Sequence, residues 1–164
     1  MVAVFEPQAP RQSSASLDAG QGTRDDEWLR YELDYIWDAY FRDVMRVNVV
    51  KIQFSREWKA RLGMITLSAS GHTTHIGINS LLRNRQAPWF VPMITIAHEL
   101  VHYAHGFGSP LPREHAHPHR GGIVARELER RGLGEEHRMW LKWVCEDWHS
   151  FYARAKSGLR LVHR

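Results

Sequence analysis

Cysteine is almost missing from this sequence, with one residue among 164. A single cysteine excludes an internal disulfide and any zinc ribbon built from several thiolates, and it fits a reducing, cytoplasmic setting. Because Cys145 lies in an apolar helical pattern, we expect a packed thiol rather than a reactive one.

Long apolar runs are missing as well. No stretch approaches the roughly 20 residues that a helix needs to cross a bilayer, so no membrane partner is expected. Residues 1–7 have neither a basic start nor a long apolar run, so no secretory signal is predicted. Lysine and arginine exceed aspartate and glutamate by 22 to 18 without forming a dense block. This balance is compatible with DNA or an acidic protein as partner, and equally with a plain solvated surface, and no dedicated DNA-binding segment is predicted.

Apolar residues make up 43% of the sequence, which is enough for one compact domain with a core. Residues 1–24 are rich in Pro, Gln, Ser, Ala and Gly without periodicity, and we interpret them as a disordered tail. The domain is predicted to span residues 25–157, followed by a short basic tail at 158–164. The tryptophans at 28, 37, 140, 143 and 148 are expected to belong to the core.

Hydrophobic periodicity predicts helices at both ends of the domain and short strands near its beginning. Acidic residues open the first helix, as the helix dipole favours, and β-branched alternation marks the strands. A short helical turn is also expected at 55–59. The expected strands are 46–54, 62–69 and 74–79, and the expected helices are 25–45, 81–84, 92–105, 123–131 and 135–156.

The most informative stretch is 94–106, which contains His-Glu-x-x-His within a run of helical spacing. Residues four apart project from one face of a helix, so His98 and His102 can bind one metal ion. Glu99 lies one step round, where its carboxylate can hydrogen-bond a water on that metal instead of binding the ion. Two nitrogen ligands and one free base are the chemistry of the zinc-peptidase motif. The competing interpretation is a helix with two surface histidines.

A catalytic zinc takes three protein ligands, so one more must come from elsewhere. His105 shares the face of His98, but it lies about 10 Å away along the helix axis and is expected to be a neighbour of the metal. The third ligand is therefore expected beyond the loop that follows the helix. Spacing favours His119, at the entrance of the next helix, over the other candidates. The full set of candidates is Glu114, His115, His117, His119 and Glu127.

Three segments resemble the SprT-like metallopeptidase family, which includes the Spartan-type proteases. They are residues 77–79, the His98–His102 motif, and residues 119–133, in which a histidine opens a helix that ends in Gly-Leu. The resemblance covers about residues 45–135. Arg120 and Ile123 differ from the family pattern, which has glycine and an aromatic residue there.

The resemblance implies zinc ligands His98, His102 and His119 with Glu99 as the catalytic base. It implies an α+β, zincin-like single domain, in which a small antiparallel or mixed sheet of about three strands packs beside the motif helix. Helices from the N- and C-terminal parts of the domain would flank these elements. It also implies protein substrates that are associated with DNA or crosslinked to it.

The leading hypothesis is a zinc-dependent metalloendopeptidase that acts on protein or peptide substrates. Its substrate would pair as an extended strand with the strand at 74–79. Tyr103 is expected to be a core residue rather than a group that assists the reaction. The alternative is a DNA-associated module with a mainly structural metal and little proteolytic activity. A further hypothesis is a protease that cleaves its own N-terminal tail.

Overall fold

A computed structural model of the chain describes residues 23–161, and side chains as far as residue 158. Tails were predicted at 1–24 and 158–164, and residues 1–22 and 162–164 of them lie outside the described residues. The described part contains five α-helices, three strands and two short 3₁₀ turns, which confirms the α+β class. In chain order the regular elements are α1 (Asp26–Tyr40), β1 (Val49–Phe54), β2 (Gly63–Leu67), β3 (Thr73–Ile78), α2 (Phe90–Ala104), α3 (Ile123–Arg130), α4 (Gly134–Glu146) and α5 (Trp148–Leu161).

The strands form a mixed sheet in the order β1, β3, β2. β1 runs parallel to β3, with Val49 opposite Thr73, and β2 runs antiparallel to it, with Gly63 opposite Ile78. The predicted strand at 74–79 is therefore the central one, and both of its edges are already paired. The prediction that a substrate adds to this strand is wrong, because the free edges belong to β1 and β2.

Helix α2 is the central element of the domain. It contacts the sheet, α1, α3 and α4, and twelve of its fifteen residues are buried. A helix that is apolar on nearly every side is held by packing all round and not along one stripe. Any side chain that projects from α2 therefore starts from a rigidly placed backbone.

Arg24 is fully buried, although the sequence placed it in the N-terminal tail. Its guanidinium donates hydrogen bonds to the carbonyl oxygens of Leu82 (2.9 Å), Asn84 (3.2 Å) and Ala87 (3.0 Å). These carbonyls belong to the turn and loop that lead into α2. Arginine suits this role because its planar fork of donors reaches several acceptors at once.

The first helix ends at Tyr40, earlier than the predicted end at Met45. The chain turns back there, because the Trp37 indole nitrogen donates to the carbonyl of Val44 at 2.9 Å. The short helical turn predicted at 55–59 is not formed, and that stretch is irregular. Both differences arise from tertiary contacts that local periodicity does not encode.

The helix predicted at 135–156 is two helices, α4 and α5, separated at Asp147. A break allows Trp143, Trp148 and Phe151 to pack against one another, with ring centroids 5.5 to 6.0 Å apart. In one continuous helix, residues 143 and 148 would point in directions about 140° apart. The aromatic cluster therefore favours the break.

Cys145 is exposed, so the prediction of a packed thiol is wrong. The inward face of α4 is formed by Gly134, His137 and Trp143, and Cys145 lies outside it. Among residues 23–161, no helix has the length and apolar character that a membrane crossing requires.

Candidate metal centre

Three histidines meet beside the middle of α2. His98 and His102 project from consecutive turns of the helix, and their ring centroids are 4.7 Å apart. The ring of His119 lies 5.4 Å from that of His98 and 4.6 Å from that of His102. One ring nitrogen from each residue lies within 4.8 Å of the others. Nitrogens on one tetrahedral zinc are about 3.3 Å apart, so small side-chain rotations bring these three onto a single ion.

His119 reaches the helix from a loop that makes a tight reversal just before α3. Gly121 and Gly122 both have a φ of 69°, in the left-handed region that glycine occupies without steric cost. The two glycines let the chain turn sharply, so that His119 lies at the mouth of α3 and faces α2. His119 itself is exposed, whereas His102 is buried and His98 is half-buried.

Burial keeps the two helix histidines uncharged. It lowers the pKa of His98 to about 3, with further lowering by the charges of His102 and His119. It lowers the pKa of His102 to about 4, and His119 and His105 contribute in the same direction. A neutral imidazole has a free lone pair, which is the form that binds a metal ion.

The buried Nδ1 atoms of His98 and His102 have no hydrogen-bond partner among the described residues. Both atoms are fully enclosed. Buried polar atoms in native proteins nearly always have a partner, which can be protein, water or an ion. The donor set of three imidazoles fits a divalent transition metal such as zinc.

Glu99 points to the sheet side of α2, towards the beginning of β2. A Cβ atom added to Gly63 would lie 2.6 Å from the Glu99 Oε1 atom and 2.8 Å from the Thr95 Cγ2 atom. The side chain is only 5% exposed. Glu99 is not among the groups gathered within 4.8 Å, which fits a base that does not bind the metal.

Burial raises the pKa of Glu99 to about 8, and the positive charge of Arg61 opposes part of that rise. A nearby cation would lower this pKa, because an opposite charge favours the ionised carboxylate. A carboxyl group that titrates near neutral pH can both accept and return a proton, as a general base and acid must.

Gly63 is expected to be required because it leaves room for the Glu99 carboxylate. In Gly63→Ala the new methyl group would push the carboxylate and the Thr95 side chain away from their positions. If Glu99 is the catalytic base, a displacement of about 1 Å should reduce kcat by roughly 10²-fold. Cleavage kinetics of a peptide substrate measure this effect, with Gly158→Ala as the control because a Cβ there meets open space. Unchanged kcat in Gly63→Ala would contradict this role for Gly63.

Trp140 borders the site, although the sequence placed it in the core. Its ring centroid is 6.1 Å from that of His98, and its indole nitrogen donates to the Thr95 hydroxyl oxygen at 3.1 Å. His137 also stacks on Trp140, with ring centroids 5.9 Å apart. No local pattern distinguishes Trp140 from the core tryptophans, because its position depends on how α4 crosses α2.

The other candidate ligands lie away from this cluster. Glu127 accepts hydrogen bonds from Arg130 at 2.6 Å and from Arg131 at 2.8 Å, so its carboxylate is already paired. Glu114 and His115 form a separate group with His105. His117 is exposed and belongs to neither group.

Tyr103 is a fully buried residue that joins α2 to the segment before β1. Its hydroxyl donates to the Asn48 side-chain oxygen at 2.8 Å and accepts from the Val47 backbone nitrogen at 3.1 Å. Its hydroxyl is therefore occupied by structural bonds, which confirms the prediction that Tyr103 is a core residue.

Comparison of the chain with family models, with curated proteins and with solved structures found no match. The resemblance to SprT-like metallopeptidases therefore stays a prediction from the motif residues. The chemistry of the site therefore rests on its own side chains. These are three convergent imidazoles and the buried carboxylate of Glu99, the residue after His98.

Proposed function

We propose that this protein is a zinc-dependent metalloendopeptidase of the zincin type, with His98, His102 and His119 as metal ligands. The observation that carries the proposal is the convergence of three imidazoles, two from a buried helix and one from a distant loop. Three protein ligands leave a fourth coordination position for water, which distinguishes catalytic from structural zinc sites. The exposure of His119 supports access to that position from solvent.

Glu99 is the catalytic base in this proposal. When bound, zinc supplies the Lewis acidity that activates a water molecule and polarises the substrate carbonyl. Glu99 accepts the proton of that water and later delivers it to the leaving amide nitrogen. The small residual exposure of its side chain supports this role, because a base must reach water while staying shielded from bulk solvent.

The edge of β2 is the best candidate for the substrate-binding surface. Among residues 23–161, β2 has a neighbouring strand, β3, on one side only, and it begins at Gly63 beside Glu99. An edge strand carries unpaired backbone N–H and C=O groups, to which an extended peptide can add as a further strand. We propose that the substrate lies along β2 in this way, in place of the strand at 74–79 that the sequence favoured.

Removal of the metal is expected to abolish proteolysis. The purified chain loaded with Zn²⁺ should cleave unfolded casein. Excess chelator should stop cleavage, because without the metal no Lewis acid activates the water. Activity should return on addition of Zn²⁺ and not of Mg²⁺, which prefers oxygen ligands. Gel analysis of casein fragments measures the effect. Cleavage that continues at full rate after the metal has been stripped would contradict a metallopeptidase.

The alternative of a DNA-associated module has weaker support. The groove between α1 and β1 mixes acidic and basic side chains, while a phosphate backbone requires a surface of one sign. Its charged residues are Asp26, Arg30, Asp34, Arg46 and Lys51. DNA-associated proteins stay a predicted substrate class. Binding of the purified chain to duplex DNA that weakens steeply with salt would favour the DNA-associated module.

A further inference from the structure

We propose that His105, Glu114 and His115 form a second site for a divalent transition metal ion. The ion would tie the loop between α2 and α3 to the end of α2. The site uses none of the groups assigned to the reaction, so the inference does not rest on the proposed peptidase activity.

The three side chains converge as the first cluster does. One ligand atom from each residue lies within 4.8 Å of the others. The rings of His105 and His115 have centroids 4.7 Å apart, and His105 Nε2 lies 3.9 Å from Glu114 Oε2. Ligand atoms on tetrahedral zinc are about 3.3 Å apart, so this nitrogen and oxygen need to approach by about half an ångström. Two imidazoles and one carboxylate form a common zinc ligand set.

His105 has the burial and protonation state expected of a metal ligand. It is 5% exposed, and its Nδ1 atom is fully enclosed without a hydrogen-bond partner in the described residues, while Nε2 lies 3.9 Å from Glu114 Oε2. Burial is the largest influence on its pKa and lowers it, although the carboxylates of Glu114 and Glu127 oppose that shift. A buried, neutral imidazole has a lone pair available for a cation, and the unpartnered Nδ1 shows that the protein does not satisfy both ring nitrogens.

The backbone already holds the loop in the geometry that the site needs. His105 follows the last residue of α2, and its carbonyl accepts a hydrogen bond from the Glu114 nitrogen at 3.1 Å. Gly106 has a φ of 78°, and a Cβ there would lie 2.4 Å from the Pro112 carbonyl oxygen. The loop therefore folds closely onto the end of the helix, and it returns Glu114 and His115 to His105 before any ion binds.

A second metal at this position has a consequence for the first. His115 and His119 belong to the same loop and are four residues apart. An ion on His105, Glu114 and His115 would restrict that loop, so His119 would lose less freedom when it binds the first ion. Zinc at the two sites should therefore bind with positive coupling, and the coupling should disappear when His115 is removed.

Metal stoichiometry tests the proposal directly. The full-length chain, stripped and then equilibrated with buffered Zn²⁺, should contain about two ions per molecule by elemental analysis. His115→Ala should contain about one, and Glu114→Gln should bind its second ion more weakly. His117→Ala is the matched control, because it removes an exposed histidine of the same loop that belongs to neither group, and it should keep both ions.

A combination of variants separates the two sites. His119→Ala should lose the first ion and keep the second, and the double variant His115→Ala/His119→Ala should lose both. If the first cluster binds no metal, His119→Ala will match the wild type while His115→Ala still loses an ion, so the second site survives failure of the peptidase proposal. Circular dichroism establishes that each variant is folded. A zinc content equal to that of the wild type in folded His115→Ala would overturn the second site.

Discussion

Glu99→Gln is expected to abolish most turnover while leaving the metal in place. Glutamine has the same shape but cannot accept a proton, and loss of a general base reduces kcat by about 10²–10⁴-fold. Metal content should not change, because Glu99 is not among the groups gathered around the three imidazoles. Cleavage of a fluorogenic peptide, followed together with zinc content, measures both quantities on one sample.

Glu135→Gln is the matched control for this experiment. Glu135 is an exposed glutamate in the first turn of α4, so the same chemical change there should leave kcat unaffected. The variant at Glu99 also identifies any contaminating protease, since a contaminant is insensitive to the substitution. Proteolysis at the wild-type rate in folded, zinc-loaded Glu99→Gln would refute the proposed mechanism.

His119→Ala is expected to lose both the metal of the first cluster and the activity. Two imidazoles from one helix hold zinc far more weakly than three, and removal of a direct ligand should cost more than the roughly 10–100-fold in affinity lost with an outer-shell partner. Because His119 is exposed, the substitution leaves no cavity in the core and should preserve the fold. Competition with a chromogenic chelator measures the affinity.

This affinity is best measured in a His115→Ala background, so that zinc on the second group does not obscure the loss. His117→Ala in that background is the control, and its zinc should stay tightly bound. If zinc instead survives in His119→Ala and disappears in His117→Ala or Glu127→Gln, the third ligand has been misassigned. Glu127 would first have to leave its ion pairs with Arg130 and Arg131.

Local sequence patterns predicted the bounds of each strand to within three residues. The strands were expected at 46–54, 62–69 and 74–79 and are found at Val49–Phe54, Gly63–Leu67 and Thr73–Ile78. The His-Glu-x-x-His helix was predicted because its spacing places two imidazoles on one face. Such features depend on residues within one helical turn or one strand, and the spacing of these residues can be read from the sequence.

The order of the strands was not predictable in the same way. Nothing local to residues 73–78 indicates that both edges of β3 are paired, since pairing depends on where distant segments meet. Gly63 was also missed, because its importance arises only when β2 lies against Glu99. The position of Trp140 beside the site was missed for the same reason. These residues acquire their roles from packing between elements far apart in the chain.

Because its substrate would pair with the free edge of β2, such a peptidase would select substrates by their conformation. Backbone pairing does not depend on side-chain identity, so cleavage sites would be chosen chiefly by whether a segment can be drawn out straight. A well-folded protein rarely offers such a segment, and its rate of cleavage would follow how often it opens locally. Damaged, tethered or half-unravelled chains would then be cut first, while intact neighbours at the same concentration would be spared.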